Sequence, residues 1–121
     1  MRILAIAAAV TLIAAIARPI FASDSAESGQ VAITGEILDL ACYLDHEGKG
    51  KGHKDCAETC IKSGLPVGIK DKDDGKTYLI IGAHKPLNEE LAKHAAEIVT
   101  VSGKLVERDG IRMISNARIV D

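Results

Sequence analysis

The chain has 121 residues, with 15 basic and 17 acidic side chains, a formal net charge of −2 and an aromatic content of only 2%. That balance excludes nucleic-acid binding, which needs a basic groove and stacking rings. Its three cysteines are an odd number, so one intramolecular disulfide leaves a sulfur over, to be ligated, reactive or spare.

The chain opens on Met1-Arg2, followed by an apolar run over 3–17 relieved only by Thr11, then Arg18-Pro19 and Ala22 before Ser23. A short positive start, an apolar stretch and a small residue at the cut are the anatomy of a secretory signal peptide, here 1–22. The run is shorter than the roughly 20 residues that span a bilayer. The expectation is therefore an exported protein, periplasmic or extracellular, with no stable membrane insertion after cleavage. An uncleaved anchor is the alternative, because Ile20 is only a fair residue three places before the cut. Cleavage leaves roughly 100 residues, one small domain that gains from a staple or a metal.

Residues 23–29 (SDSAESG) form a small, polar lead-in, and the domain is expected over 30–121. In QVAITGEILDL (30–40), Val31, Ile33, Gly35 and Ile37 share one face, which predicts a strand. Gly35 in mid-strand marks a bend or bulge.

An insert over 41–66 follows and holds Cys42, Cys56 and Cys60 with His46 and His53. Residues 45–52 (DHEGKGKG) read as a flexible charged loop. A helix is predicted from about His53 to Ser63, stopped by Gly64 and Pro66. On it His53, Cys56 and Cys60 point to about 0°, 300° and 340°, one stripe two turns long. Cys42, from the loop before, completes a Cys₃His set, which suits a zinc or copper ion. His46 is read as a solvated loop residue in preference to an alternative ligand, on the loop's flexibility. Asp39 and Asp45 are placed to orient a ligating imidazole, Asp39 being equally an ordinary strand end. Tyr43 is expected to pack the insert onto the sheet, and His84 and His94 to lie on the surface.

Strands are predicted over 67–70 and 77–81 around the turn DKDDGK (71–76), whose acidic residues are out of register for a calcium loop. Asn88 is expected to cap a helix over 89–96. Strands over 98–107 and 111–120 flank Asp109-Gly110, a tight hairpin signal. VAITGEILD (31–39) and VTVSGKLVE (99–107) match position for position, each with a central glycine. The order strand, helical insert, strand, strand, helix, strand, strand is that of an OB-fold: an all-β five-stranded barrel with one helix in the first inter-strand connection and another between strands 3 and 4.

In outline the chain resembles small exported bacterial OB-fold proteins. The motifs Asp39-x-x-Cys42-Tyr43, His53-x-x-Cys56-Ala57-x-x-Cys60 and Gly64-Leu65-Pro66-Val67-Gly68 resemble those shared by a set of secreted bacterial proteins. That resemblance implies the fold rather than an activity. Cys56-Ala57-Glu58-Thr59-Cys60 also resembles the C-x-x-x-C loops of Sco-like copper proteins and of the dinuclear copper loop of cytochrome oxidase. The thioredoxin-like surroundings of the first are missing here, and so are the trailing His and Met of the second.

Three readings of the cysteines stay open. Metal ligation by Cys42, His53, Cys56 and Cys60 is favoured by the odd count. A disulfide from Cys42 to Cys56 or Cys60 would clamp the insert and contribute roughly 3 kcal/mol. Thiol exchange ranks last, because C-x-x-x-C is not the oxidoreductase C-x-x-C. The sequence carries no Ser-His-Asp pattern, HExxH, P-loop or CxxCH, so covalent haem is excluded and no catalytic residue is assigned. The expected role is a binding or accessory module whose partners are a metal ion and another periplasmic or membrane protein. A plain interaction module is the bland counterpart.

Overall fold

The computed structural model describes residues 29–120. The expected signal peptide and the lead-in before Gly29 lie outside the described residues.

Five strands are built from the alternating segments: β1 (Gln30–Asp39), β2 (Val67–Asp71), β3 (Thr77–Ile80), β4 (Ile98–Arg108) and β5 (Ile111–Val120). They close a barrel in the order β1-β2-β3-β5-β4, with β4 returning to β1. Only β3 and β5 run parallel; the other pairs are antiparallel. This is the OB-fold topology expected from the element order.

β1 is the hinge of the closure. Residues 30–36 pair with β4 and 35–39 with β2, so one strand serves two neighbours and must coil at Gly35 and Glu36, the two residues common to both ladders. A Cβ on Gly35 would stand 2.0 Å from the Lys70 carbonyl oxygen, so only glycine lets β2 approach this closely. Gly103 plays the matching part in β4. It lies at a register shift against β5, between Ser102 and Lys104, with Asn116 opposite in the left-handed region at φ 50°. The two echoing segments pair with each other, Val31 opposite Gly103 and Val99 opposite Gly35. The internal repeat is thus a pair of neighbouring strands, each bent at its glycine beside the other's valine.

The core is aliphatic. Ile33, Ile37, Ile69, Ile80, Val101 and Ile114 fill the barrel, and each such side chain contributes about 1.5–3 kcal/mol of burial. Helix α2 (Lys54–Lys62) adds Ala57 and Ile61 to this core. Helix α3 (Asn88–Leu91) and the 3-10 turn Ala92–His94 add Leu91 and Ala92.

Two local expectations are corrected. The predicted helix over 89–96 is a single α-helical turn passing into a 3-10 turn, ended by Ala95, which makes a bridge with Ile37. Asn88 does not cap it, since Leu87 holds that position. The Asn88 amide instead donates to the carbonyls of Ile61 and Leu65, both at 2.8 Å, and so fastens the end of α2 to α3. The exposed turn after β2 is closed by its own acids: Asp71 accepts from the Asp73 amide at 2.7 Å and Asp74 from the Lys76 amide at 2.8 Å.

Candidate metal centre

The insert between β1 and β2 is more ordered than its glycines suggest. Asp39, the last residue of β1, is buried, with 1% of its surface exposed. Its two carboxylate oxygens accept the amides of Ala41 and Cys42, each at 3.1 Å. Asp39 thereby caps helix α1 (Leu40–His46), and Cys42 sits in its first turn rather than in a loop. Tyr43, one residue on, accepts a hydrogen bond from the Lys70 ammonium of β2 at 3.0 Å, which also lies 5.4 Å from the centre of its ring. This is the packing role expected of it.

After α1 the chain reverses with Glu47 in the left-handed region at φ 56°. The Gly50 amide donates to the Glu36 carboxylate of β1, which holds the connection down. A 3-10 turn, Lys51–His53, then leads into α2. His53 therefore precedes the helix that was expected to carry it, with φ −104° and ψ 1°. Its side chain leaves the helical stripe. Cys56 and Cys60 stay on it, about 40° apart around α2 and flanking the buried pair Ala57 and Ile61. The start of α2 is fixed by a Lys54–Glu97 ion pair at 2.6 Å, and the Lys54 ammonium holds the Glu97 carboxyl below the usual range.

The four expected ligands do not form one quartet; together with His46 they fall into two triads. Cys42, Cys56 and Cys60 bring their sulfurs within 4.8 Å of one another. Cys42, His46 and His53 do the same with one sulfur and two ring nitrogens. Both groups are positioned to hold a metal ion, and Cys42 belongs to both. His46 lies at the end of α1 rather than in a loop, its side chain solvent-exposed as expected and its ring meeting that of His53 edge-on at 5.6 Å. The Asp45 carboxylate is 3.3 Å from Nδ1 of His46, on the exposed side of the ring, and leaves Nε2 free.

His53 is held from the other side. A Cβ on Gly48 would come within 2.6–3.0 Å of Nε2, Cε1 and Cδ2 of its ring, so Gly48 forms the bed on which the imidazole lies. Nε2 of His53 is buried and has no hydrogen-bond partner among the described residues. Buried polar atoms are nearly always satisfied, and a bound cation would satisfy this one. Gly48→Ala is expected to displace the ring: the imidazole NMR signals of His53 should shift while those of the barrel core stay in place.

The electrostatics at Cys42 and Cys60 favour the protonated thiol. Hydrogen bonding to Asp39, then desolvation, then the Asp39 charge push the Cys42 thiol up to about 12. Burial raises the Cys60 thiol as well, against a lowering contribution from Cys42. All three cysteines carry free thiols, Cys56 exposed and the other two half-buried. Cys56 and Cys60 lie four residues apart in a regular helix, where Cβ atoms stand about 5–6 Å apart, too far for the roughly 3.8 Å of a disulfide. Sequence reasoning missed α1, although Asp39 ahead of Leu40-Ala41-Cys42 is an N-cap signal. No family model, curated protein or solved structure matches the chain.

Proposed function

We propose that this is an exported binding or accessory module that holds a soft metal ion, Zn(II) or Cu(I), in the insert of its barrel. The supporting observation is the convergence of three sulfurs within 4.8 Å, delivered by two different helices onto one side of the barrel. With metal–sulfur bonds of about 2.3 Å, a tetrahedral ion wants its sulfurs about 3.8 Å apart, so small side-chain movements close the set. Soft thiolate donors select Cu(I) or Zn(II) over oxygen-seeking cations. The N-terminal sequence supports export, and a thiol-rich site in an oxidising compartment is protected once it is ligated. The partner served would be another periplasmic or membrane protein.

Thiol exchange is the second reading, because the same closeness lets Cys42 reach either sulfur of α2. The raised thiols weigh against it. With its thiol pushed up to about 12, Cys42 stays protonated at neutral pH and is a poor nucleophile. A metal ion removes that obstacle by displacing the proton as it binds.

The sign of the pH dependence follows. Thiols raised in the metal-free protein release protons on binding, so affinity must climb with pH until the thiols ionise unaided. Each displaced proton contributes about tenfold per pH unit. Competition against a chromophoric chelator at pH 6.5 and 7.5 should show affinity rising between about tenfold and a thousandfold, for one to three thiols. An affinity equal at both pH values would contradict thiolate ligation.

A further inference from the structure

The two triads form a bow-tie: five donor atoms in two triangles joined at one vertex, the sulfur of Cys42. A single ion cannot take donors from both triangles as they stand. A four-coordinate ion needs all its donors within about 3.8 Å of one another, and the imidazoles do not share a cluster with Cys56 and Cys60. Each triangle is complete for a three-coordinate ion, one with three sulfurs, the other with one sulfur and two nitrogens. Cu(I) accepts three soft donors, whereas Zn(II) would require a fourth at each position. A thiolate sulfur carries several lone pairs and can bind two ions at once.

We propose that the insert holds two Cu(I) ions bridged by the Cys42 thiolate, one completed by Cys56 and Cys60 and the other by His46 and His53. This rests on the metal-binding reading above and adds a second position to it. The arrangement of the histidines fits the role. The Asp45 carboxylate at Nδ1 of His46 orients that ring while leaving Nε2 free, and Gly48 seats the ring of His53, whose Nε2 lacks a partner among the described residues. Neither feature serves the sulfur triangle. On binding, each ligating thiol loses one proton to solvent as its sulfur bonds the copper, and the copper stays in the Cu(I) state throughout.

The test is an anaerobic titration of the reduced chain with Cu(I) buffered by bicinchoninate, with bound ions counted by native mass spectrometry. The wild type should bind two ions per chain, and X-ray absorption should show mixed sulfur and nitrogen donors with a copper–copper scattering path. The His46→Ala, His53→Ala double variant should bind one ion, with sulfur donors only. His46 is a half-exposed side chain, so His46→Ala alone spares the fold. It should weaken the second equivalent at least tenfold and leave the first unchanged, with circular dichroism confirming the barrel. One ion in the wild type, or two still bound to the double variant, would overturn the bridged pair while leaving a metal site. A chain that binds neither Cu(I) nor, in a parallel titration, Zn(II) would overturn the metal-binding reading with it.

Discussion

Cys42→Ser should abolish tight metal binding, lowering affinity by more than the 10–100-fold that loss of a mere orienting contact costs a metal site. Cys42 is the only donor common to both triads, and a neutral serine hydroxyl replaces a soft anionic sulfur with a hard, weak ligand. Cys56→Ser should cost less, because it leaves Cys42, His46 and His53 as an intact set. The barrel should survive both changes, since no cysteine belongs to the hydrophobic core. Chelator competition on the two variants, beside their thermal melts, checks the ranking. Equal losses from Cys42→Ser and Cys56→Ser would mean that Cys42 is not the shared vertex.

Gly35→Val should be the most damaging substitution in the barrel. Its first side-chain carbon would lie 2.0 Å from the Lys70 carbonyl oxygen and 2.6 Å from the carbonyl carbon, both backbone atoms of the neighbouring strand. Relief requires parting β1 from β2 where β1 passes from one partner to the other. A loss above about 4 kcal/mol is expected, in a domain class whose whole stability is about 5–15 kcal/mol. Gly103→Val should cost less, because the nearest atom, at 2.6 Å, is the movable Cγ2 of Ile114, although the Ser115 carbonyl at 2.7 Å is not movable. Gly52, with nothing within 4 Å, is the control, and Gly52→Ala should be near neutral. Urea or thermal unfolding of the three variants gives the order directly. A Gly35→Val protein as stable as the Gly52→Ala control would mean that β1 does not coil at that position.

The barrel was legible because its information is local and periodic. Alternation placed β1, Asp109-Gly110 placed the β4–β5 hairpin, and the repeated glycine picked out the two strands that coil. The insert was less legible because its order comes from contacts distant in sequence. Glu36 reaches 14 residues ahead to hold Gly50. Asn88 reaches back 27 residues to the Ile61 carbonyl rather than capping its own helix. Helical periodicity extended one residue too far gave His53 a place beside Cys56 and Cys60. The glycines around it let the chain enter α2 through a 3-10 turn, and the imidazole turned toward His46 instead. The residue types marked where donors gather, but which donors meet depended on the path of the backbone between two short helices.

That dependence also explains why the site is built as it is. Asp39 both ends β1 and starts α1, so the sulfur of Cys42 is placed by the barrel itself. Ala57 and Ile61 anchor α2 in the core, and the cysteines that precede each of them are carried to the same side. Metal release should therefore loosen the insert while leaving the barrel folded.

The most direct measurement is elemental analysis of the protein purified from the cells that make it, paired with a count of reactive thiols before and after a chelator is added. The metal-site account predicts bound zinc or copper, thiols that resist alkylation at first, and all three cysteines reacting once the metal is removed. A metal-free protein with one reactive thiol, three after reduction and no response to chelator would contradict it and leave the cysteines as a structural clamp.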